Sequence, residues 1–210
     1  MKKTSKKKKK KKKKKIKNKK KEKKMLPGIG IALLNLLTGG KKKQLKCLIL
    51  GLDNAGKTTM LKSLLGETVK NLPPTKGFNF QKINYKNTDF QIWDLGGQKS
   101  IRKFWDNYYE QQNDALIYVI DSSDTSRLEE SGKELYLILQ QPELSNLPLL
   151  IFANKQDLNS SLSAEEILDQ LNLNRIIDRN WTIVASSSIT KQGLTIGLDW
   201  LIKCVFRKDK

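Results

Sequence analysis

From Leu45 onward the chain alternates short apolar runs with stretches of helical periodicity. Residues 46–50 form one such run, Lys46-Cys47-Leu48-Ile49-Leu50, which stops at Gly51 in the manner of a strand buried on both faces. Residues 57–65 read as a helix. Residues 78–85 and 90–93 flank a polar Lys86-Asn87-Thr88 turn, which predicts an antiparallel hairpin. The runs 115–120 and 149–153 are two further buried strands; Pro148 sits at the entry of the second, where a missing N–H is tolerated. Residues 181–185 make a weaker strand. Leu194, Leu198, Leu201, Ile202 and Val205 share one face of a last helix. The expectation is an α/β fold, a six-stranded and mostly parallel sheet with helices on both faces.

The pattern changes ahead of Leu45. Leu26, Ile29, Leu33 and Leu37 recur at helical spacing, with Ile31, Leu34 and Leu36 widening the apolar face, so 25–37 reads as an amphipathic helix. Residues 38–44 are a Gly- and Lys-rich linker. Residues 1–24 are a low-complexity lysine run, expected to be disordered because like charges repel and little apolar surface is available to bury. The expected organisation is a tail at 1–24, a helix at 25–37, a linker at 38–44 and a domain at 45–210.

Charge changes the picture only for the tail. Of the net +20, residues 1–24 contribute 18 lysines against one glutamate, or +17, which leaves +3 for the rest of the 210-residue chain. The folded part is therefore nearly neutral, and the basic stretch alone attracts polyanions. An anionic membrane surface is the expected partner of the tail and the 25–37 helix, with nucleic acid the lesser alternative. The chain has no histidine, which excludes Ser-His-Asp, Cys-His and His-ligated metal sites. Its two cysteines, Cys47 and Cys204, lie in apolar stretches and read as core thiols in a reducing compartment. No apolar run reaches the ~18–20 residues of a membrane-spanning helix. No small-x-small cleavage site follows residues 25–37, so a secretory signal is disfavoured and a cytoplasmic chain is expected.

Three motifs carry chemistry. Gly51-Leu52-Asp53-Asn54-Ala55-Gly56-Lys57-Thr58 fits G-x-x-x-x-G-K-[ST] between a strand and a helix, the context of a phosphate-binding loop. Its backbone N–H groups can converge on phosphate, Lys57 adds a cation, and the Thr58 hydroxyl can ligate Mg²⁺. Asp94-Leu95-Gly96-Gly97-Gln98 follows a strand. Here Asp94 can hold Mg²⁺ through water, Gly97 can bring its N–H close to a γ-phosphate, and Gln98 can orient the attacking water. Asn154-Lys155-Gln156-Asp157 also follows a strand; the Asp157 carboxylate suits the N1–H and 2-amino donors of guanine, while Lys155 can lay its stem on the base. Thr75, in Pro73-Pro74-Thr75-Lys76-Gly77-Phe78, is the second candidate Mg²⁺ ligand.

Together, Gly51 to Thr59, Pro74 to Asn79, Trp93 to Gln98 and Asn154 to Asp157 resemble the P-loop, switch I, switch II and guanine motif of Arf and Arf-like GTPases, most of all the Arf-like-three and Arf-like-two branches. The resemblance spans about 25–210. It implies a P-loop small G-domain and a monomeric switch that binds GTP or GDP with Mg²⁺ and hydrolyses GTP slowly. Gly51, Asp53, Asn54, Ala55, Gly56, Lys57, Thr58, Thr59, Thr75, Gly97, Asn154, Lys155, Asp157, Ser187 and Ser188 would bind nucleotide, with Gln98 catalytic. Phe78, Trp93 and Tyr108 would face effectors, although as aromatics they fit a core equally well. The partners implied are an exchange factor, an activating protein and GTP-dependent effectors. The setting implied is reversible membrane association in lipidated-cargo trafficking, at the cilium or Golgi. Ser188 stands where the family usually has alanine, and neither Met1-Lys2 nor Met25-Leu26 offers the glycine that myristoylation needs. The competing reading is a GTP-dependent binding module with negligible hydrolysis, against which Gln98 argues.

Overall fold

The computed structural model describes residues 42–70 and 72–206; the expected tail at 1–24, the helix at 25–37 and most of the linker at 38–44 lie outside the described residues. Strand β1 (Lys43–Leu50) is followed by helix α1 (Lys57–Leu64), the hairpin β2 (Phe78–Tyr85) and β3 (Thr88–Leu95), and a single helical turn α2 (Lys99–Arg102). Then come β4 (Ala115–Asp121), α3 (Leu128–Leu139), β5 (Leu149–Asn154), α4 (Ala164–Gln170), β6 (Trp181–Ala185) and α5 (Leu194–Phe206). The six strands form one sheet in the order β2-β3-β1-β4-β5-β6. Only the β2–β3 pair is antiparallel.

Strand alternation explains why helices cover both faces. Leu48 and Leu50 of β1, Leu116 and Tyr118 of β4, and Leu149 and Ile151 of β5 point to one side, against α3 and α4. Their neighbours Cys47, Ile49, Ile117, Val119, Leu150 and Phe152 point to the other, against α1 and α5. A strand apolar at every position is what a sheet buried on two sides requires. Each large side chain so buried is worth about 1.5–3 kcal/mol. Cys47 is fully buried, and burial pushes its thiol up, as a core cysteine should be. Cys204, by contrast, is only half-buried on α5.

Three differences from the sequence pattern have physical causes. β1 begins at Lys43, inside the segment expected as linker, because Lys43 and Gln44 pair with Thr88 and Asp89 of β3. The hairpin turn has two residues, Lys86 and Asn87, both with positive φ (46° and 59°), so Thr88 already belongs to β3. That geometry matches the twist of a tight hairpin. Lys43 and Gln44 are drawn into the sheet by ladder bonds while exposed, whereas Thr88 is both paired and buried, at 1% exposure. Finally, α3 and α4 were not among the elements the apolar pattern named. A sequence signal for α4 exists in Ser163 and Glu166, which exchange side-chain and backbone hydrogen bonds as a capping box. Among the described residues, no helix is long and apolar enough to cross a membrane.

Candidate functional site

The chain leaves β1 for a hairpin on one side of the sheet and returns to β4 on the other. The order therefore reverses at β1, and the crevice beyond the carboxyl ends of its strands is where such sheets bind ligands. The Gly51–Thr58 loop lies at that point. A cavity of about 370 Å³ opens there, lined by Asp53, Asn54, Gly56, Lys57, Thr58, Thr59, Thr75, Gly97, Gln98, Asn154, Lys155, Asp157 and Ser188. Of the expected site residues, Gly51, Ala55, Asp94 and Ser187 lie behind this lining. Leu72, Pro73, Pro74, Leu158 and Ile189 line it without having been expected.

At the loop end, Lys57 is 6% exposed, and its ammonium donates to the carbonyls of Gly51 and Leu52, each at 2.8 Å. Burial pushes its pKa down to about 8, against the opposing pull of Asp94 and Asp53. A buried cation with only carbonyls as direct partners is poised for an anion. Gly56, the residue before α1, has φ 94°, and a Cβ there would strike the Asn154 amide, so glycine is required on both counts.

Beside Lys57, three oxygens converge. Thr58 Oγ1 donates to Asp94 Oδ2 at 2.6 Å and lies 2.8 Å from Thr75 Oγ1. Asp94 is fully buried, and its other oxygen, Oδ1, has no hydrogen-bond partner. Burial pushes the Asp94 carboxyl up, opposed by the Thr58 hydrogen bond, the Lys57 charge and the side chain of Asn79, its cross-strand neighbour on β2. Two hydroxyls and one carboxylate with an unsatisfied oxygen fit Mg²⁺, which takes few protein ligands and shares the rest between water and phosphate. No cluster of three or more His, Cys, Asp or Glu occurs among the described residues, so the donor set does not suit zinc.

Gly97 packs directly on the loop. A Cβ there would run into the backbone of Leu52 and Asp53 and into Gly51 O, so only glycine fits this close to the loop. Gln98 follows at the start of α2, half-buried and facing the cavity. Sequence reading missed Arg102, whose Nε donates to Gly97 O at 2.7 Å while Nη1 reaches Glu130 and Glu134 at 2.7 and 3.0 Å. Burial disfavours the Arg102 charge, but its bonds to the two glutamates outweigh this and raise its pKa.

At the far end of the cavity, Asn154 acts as a strut. Its amide donates to Ala55 O at 2.8 Å, and its Oδ1 accepts from both the N–H and the hydroxyl of Ser188, each at 3.0 Å. Lys155 has φ 69° and pairs with Asp121 at 2.6 Å, which aligns its stem along the cavity wall. Asp157 is exposed and accepts from the Ser187 hydroxyl at 2.5 Å. That hydroxyl in turn receives the N–H groups of Ile189 and Thr190, so both serines order this end of the site.

Away from the cavity, Phe78, Trp93 and Tyr108 form a triangle of rings 5.4–5.6 Å apart. Phe80, not singled out in the sequence, joins it 4.9 Å from Trp93. Phe78 is 51% and Phe80 39% exposed, so the cluster is a surface feature, while Trp93 and Tyr108 back onto the core.

Comparison with known proteins agrees with this geometry. A model of the ADP-ribosylation factor family matches residues 32–205. The chain is 50% identical to ADP-ribosylation factor-like protein 3 of Chlamydomonas reinhardtii over 177 residues, 83% of this chain and 99% of that protein. It is 52% identical to ADP-ribosylation factor-like protein 1 of Saccharomyces cerevisiae over 167 residues, 79% of this chain and 90% of that one. Among solved structures, the small GTPase Arl6 (BBS3) of Trypanosoma brucei, with bound nucleotide analogue GppNp, superposes with a TM-score of 0.73 at 30% identity. It covers 80% of this chain and all of that chain.

Proposed function

Because the chain belongs to the ADP-ribosylation factor family and is an Arf-like small GTPase, a GTP-binding switch and GTP hydrolase, we propose how its own residues perform that activity. The phosphates of GTP lie on the N–H groups of residues 51–58 and on Lys57. The base lies between Lys155 and the 187–189 segment, with Asp157 accepting from its N1–H and 2-amino group. Thr58 and Thr75 would hold Mg²⁺, with Asp94 acting through water, and the ion would supply positive charge against the phosphates. Gly97 donates its N–H to the γ-phosphate, and Gln98 orients the water for in-line attack. No arginine lines the cavity among its described residues, so intrinsic turnover is slow and an activating protein supplies the missing charge.

The observation that supports this reading most directly is the meeting of Thr58, Thr75 and the buried Asp94 carboxylate. The test is release of a fluorescent GTP analogue with and without a chelator. Chelation should accelerate release in the wild type and much less in Thr58→Asn; equal acceleration in both would remove Thr58 from the ion site.

The switch acts outward through Phe78, Trp93, Tyr108 and Phe80, whose partly exposed rings suit effectors that bind one nucleotide state. The wider role we propose is trafficking of lipidated cargo at membranes, of the cilium or Golgi, by a cytoplasmic protein that associates with them reversibly. Its support is the likeness to Arf-like protein 3.

A further inference from the structure

Two side chains from the segment after Gln98 fold back onto the peptides that precede it. Trp105 Nε1 donates to Gly96 O at 2.9 Å, and Arg102 Nε donates to Gly97 O at 2.7 Å. In a trans peptide, the carbonyl and the following N–H point in opposite directions across one rigid plane. Holding the Gly96 carbonyl therefore aims the Gly97 N–H, and holding the Gly97 carbonyl aims the Gln98 N–H. Trp105 is 2% exposed and lies in the core, so its arm belongs to the fold. Arg102 differs in what anchors it.

The Arg102 side chain is 7% exposed, and its other edge reaches two elements distant in sequence. Nη1 donates to Glu130 and Glu134, one turn apart on α3. Nη2 lies 3.9 Å from Asp53 in the phosphate loop, and Asp53 is itself held by Arg127 at 3.2 Å. The guanidinium fork can serve these directions at once because its five N–H groups diverge in one plane; an ammonium has no such geometry. If Gly97 withdraws from the loop, its carbonyl leaves Arg102, and the guanidinium loses the position from which it reaches the glutamates. Contact between Gly97 and a third phosphate would thus be coupled to the ion pairs between Arg102 and α3, which stand just beyond the residues lining the cavity.

We propose that Arg102, anchored by Glu130 and Glu134, is a positioning residue that favours GTP over GDP. It rests on the site reading above, in which Gly97 meets the γ-phosphate. Coupling of this kind is reciprocal: the γ-phosphate stabilises the Arg102–glutamate pair as much as the pair stabilises γ-phosphate binding.

The experiment measures dissociation of fluorescent GDP and of a fluorescent non-hydrolysable GTP analogue from the full chain. It compares the wild type with Arg102→Gln, Arg102→Lys and the double variant Glu130→Gln/Glu134→Gln. The two glutamates are 40% and 26% exposed, so the double variant tests the pair without emptying the core. We expect the GTP-analogue rate to rise by at least about tenfold in Arg102→Gln, the scale of one lost charge-assisted hydrogen bond. The double variant should move it in the same direction, Arg102→Lys should not restore it, and the GDP rate should stay near wild type in all three. Equal factors for both nucleotides would mark Arg102 as merely structural and overturn the proposal, as would unchanged rates. Wild-type protein that bound neither nucleotide would instead overturn the site reading itself, and this inference with it.

Discussion

Asn154 and Ser188, 34 residues apart, share three atoms in one small motif: the Asn154 Oδ1 accepts both the backbone N–H and the hydroxyl of Ser188, each at 3.0 Å. The backbone bond survives any side chain at 188, so alanine is tolerated there; serine adds a second donor. Through the Asn154 amide, the same motif reaches Ala55 O. The base end of the cavity is thereby tied to its phosphate end.

This relationship predicts unequal effects from its two members. Ser188→Ala removes one of two bonds to the same acceptor and should raise the GDP dissociation rate by about 2–10-fold, the scale of a neutral hydrogen bond. Asn154→Ala strands both Ala55 O and the Ser188 N–H and should cost about 10–100-fold. Stopped-flow release of a fluorescent nucleotide measures both. Equal effects would show that Ser188 acts through more than this motif.

Base selectivity should reside in Asp157. Asp157→Asn replaces an acceptor by an amide that can donate. GTP should then bind about 10–100-fold more weakly, on the scale of a hydrogen bond to a charged group. Xanthosine triphosphate, with its 2-oxo group, should gain. Competition between the two nucleotides checks this, and an unchanged GTP preference would take Asp157 out of the base pocket.

Gln98→Leu should keep GTP bound and slow its hydrolysis by about a hundredfold, the scale on which misplacing a reacting group acts. Single-turnover phosphate release is the measurement. A wild-type rate would show that Gln98 does not orient the water.

Lys57 makes nucleotide binding sensitive to alkaline pH. Its pKa is pushed down to about 8 from an ordinary 10.5, so between these values the nucleotide-free fold binds fewer protons than the unfolded chain. The stability of that form therefore rises with pH across the window. Phosphate restores the charge on Lys57, so binding takes up a proton there, and nucleotide affinity should fall as pH rises above about 8. Calorimetry at about pH 9 in two buffers of different ionisation enthalpy should register uptake in the wild type and none in Lys57→Met.

Membrane attachment is predicted from residues 1–37. Binding to anionic vesicles should be weak and salt-sensitive with GDP, and tighter and less salt-sensitive with a non-hydrolysable GTP analogue. Co-sedimentation in both states, with and without residues 1–24, is the check. Equal binding in the two states would reduce the lysine run to an electrostatic tether.

Wherever a feature is made by neighbours in sequence, the sequence by itself determined it. The apolar runs of β1, β4 and β5 name buried strands because burial on two faces demands apolar residues at every position. The spacing from Gly51 to Thr58 names a phosphate loop because its glycines, lysine and threonine act within one turn of chain. Exposed polar strand ends such as Lys43 and Gln44 were not legible, since ladder pairing, not side-chain character, brings them into the sheet.

Tertiary structure alone decided which distant groups meet. Phe78, Trp93 and Tyr108 fitted a core or a surface equally well until the hairpin placed their rings at the sheet's edge, with Phe80 among them. Arg102, Glu130 and Glu134 carry no motif; they meet because the order β3-β1-β4 lays α3 beside the segment after β3, 28 and 32 residues from Arg102 along the chain. Asn154 reaches Ala55 across 99 residues for the same reason. A charged or amide side chain reads in sequence as a solvated surface group, and only the fold, by removing water around it, makes its partner matter.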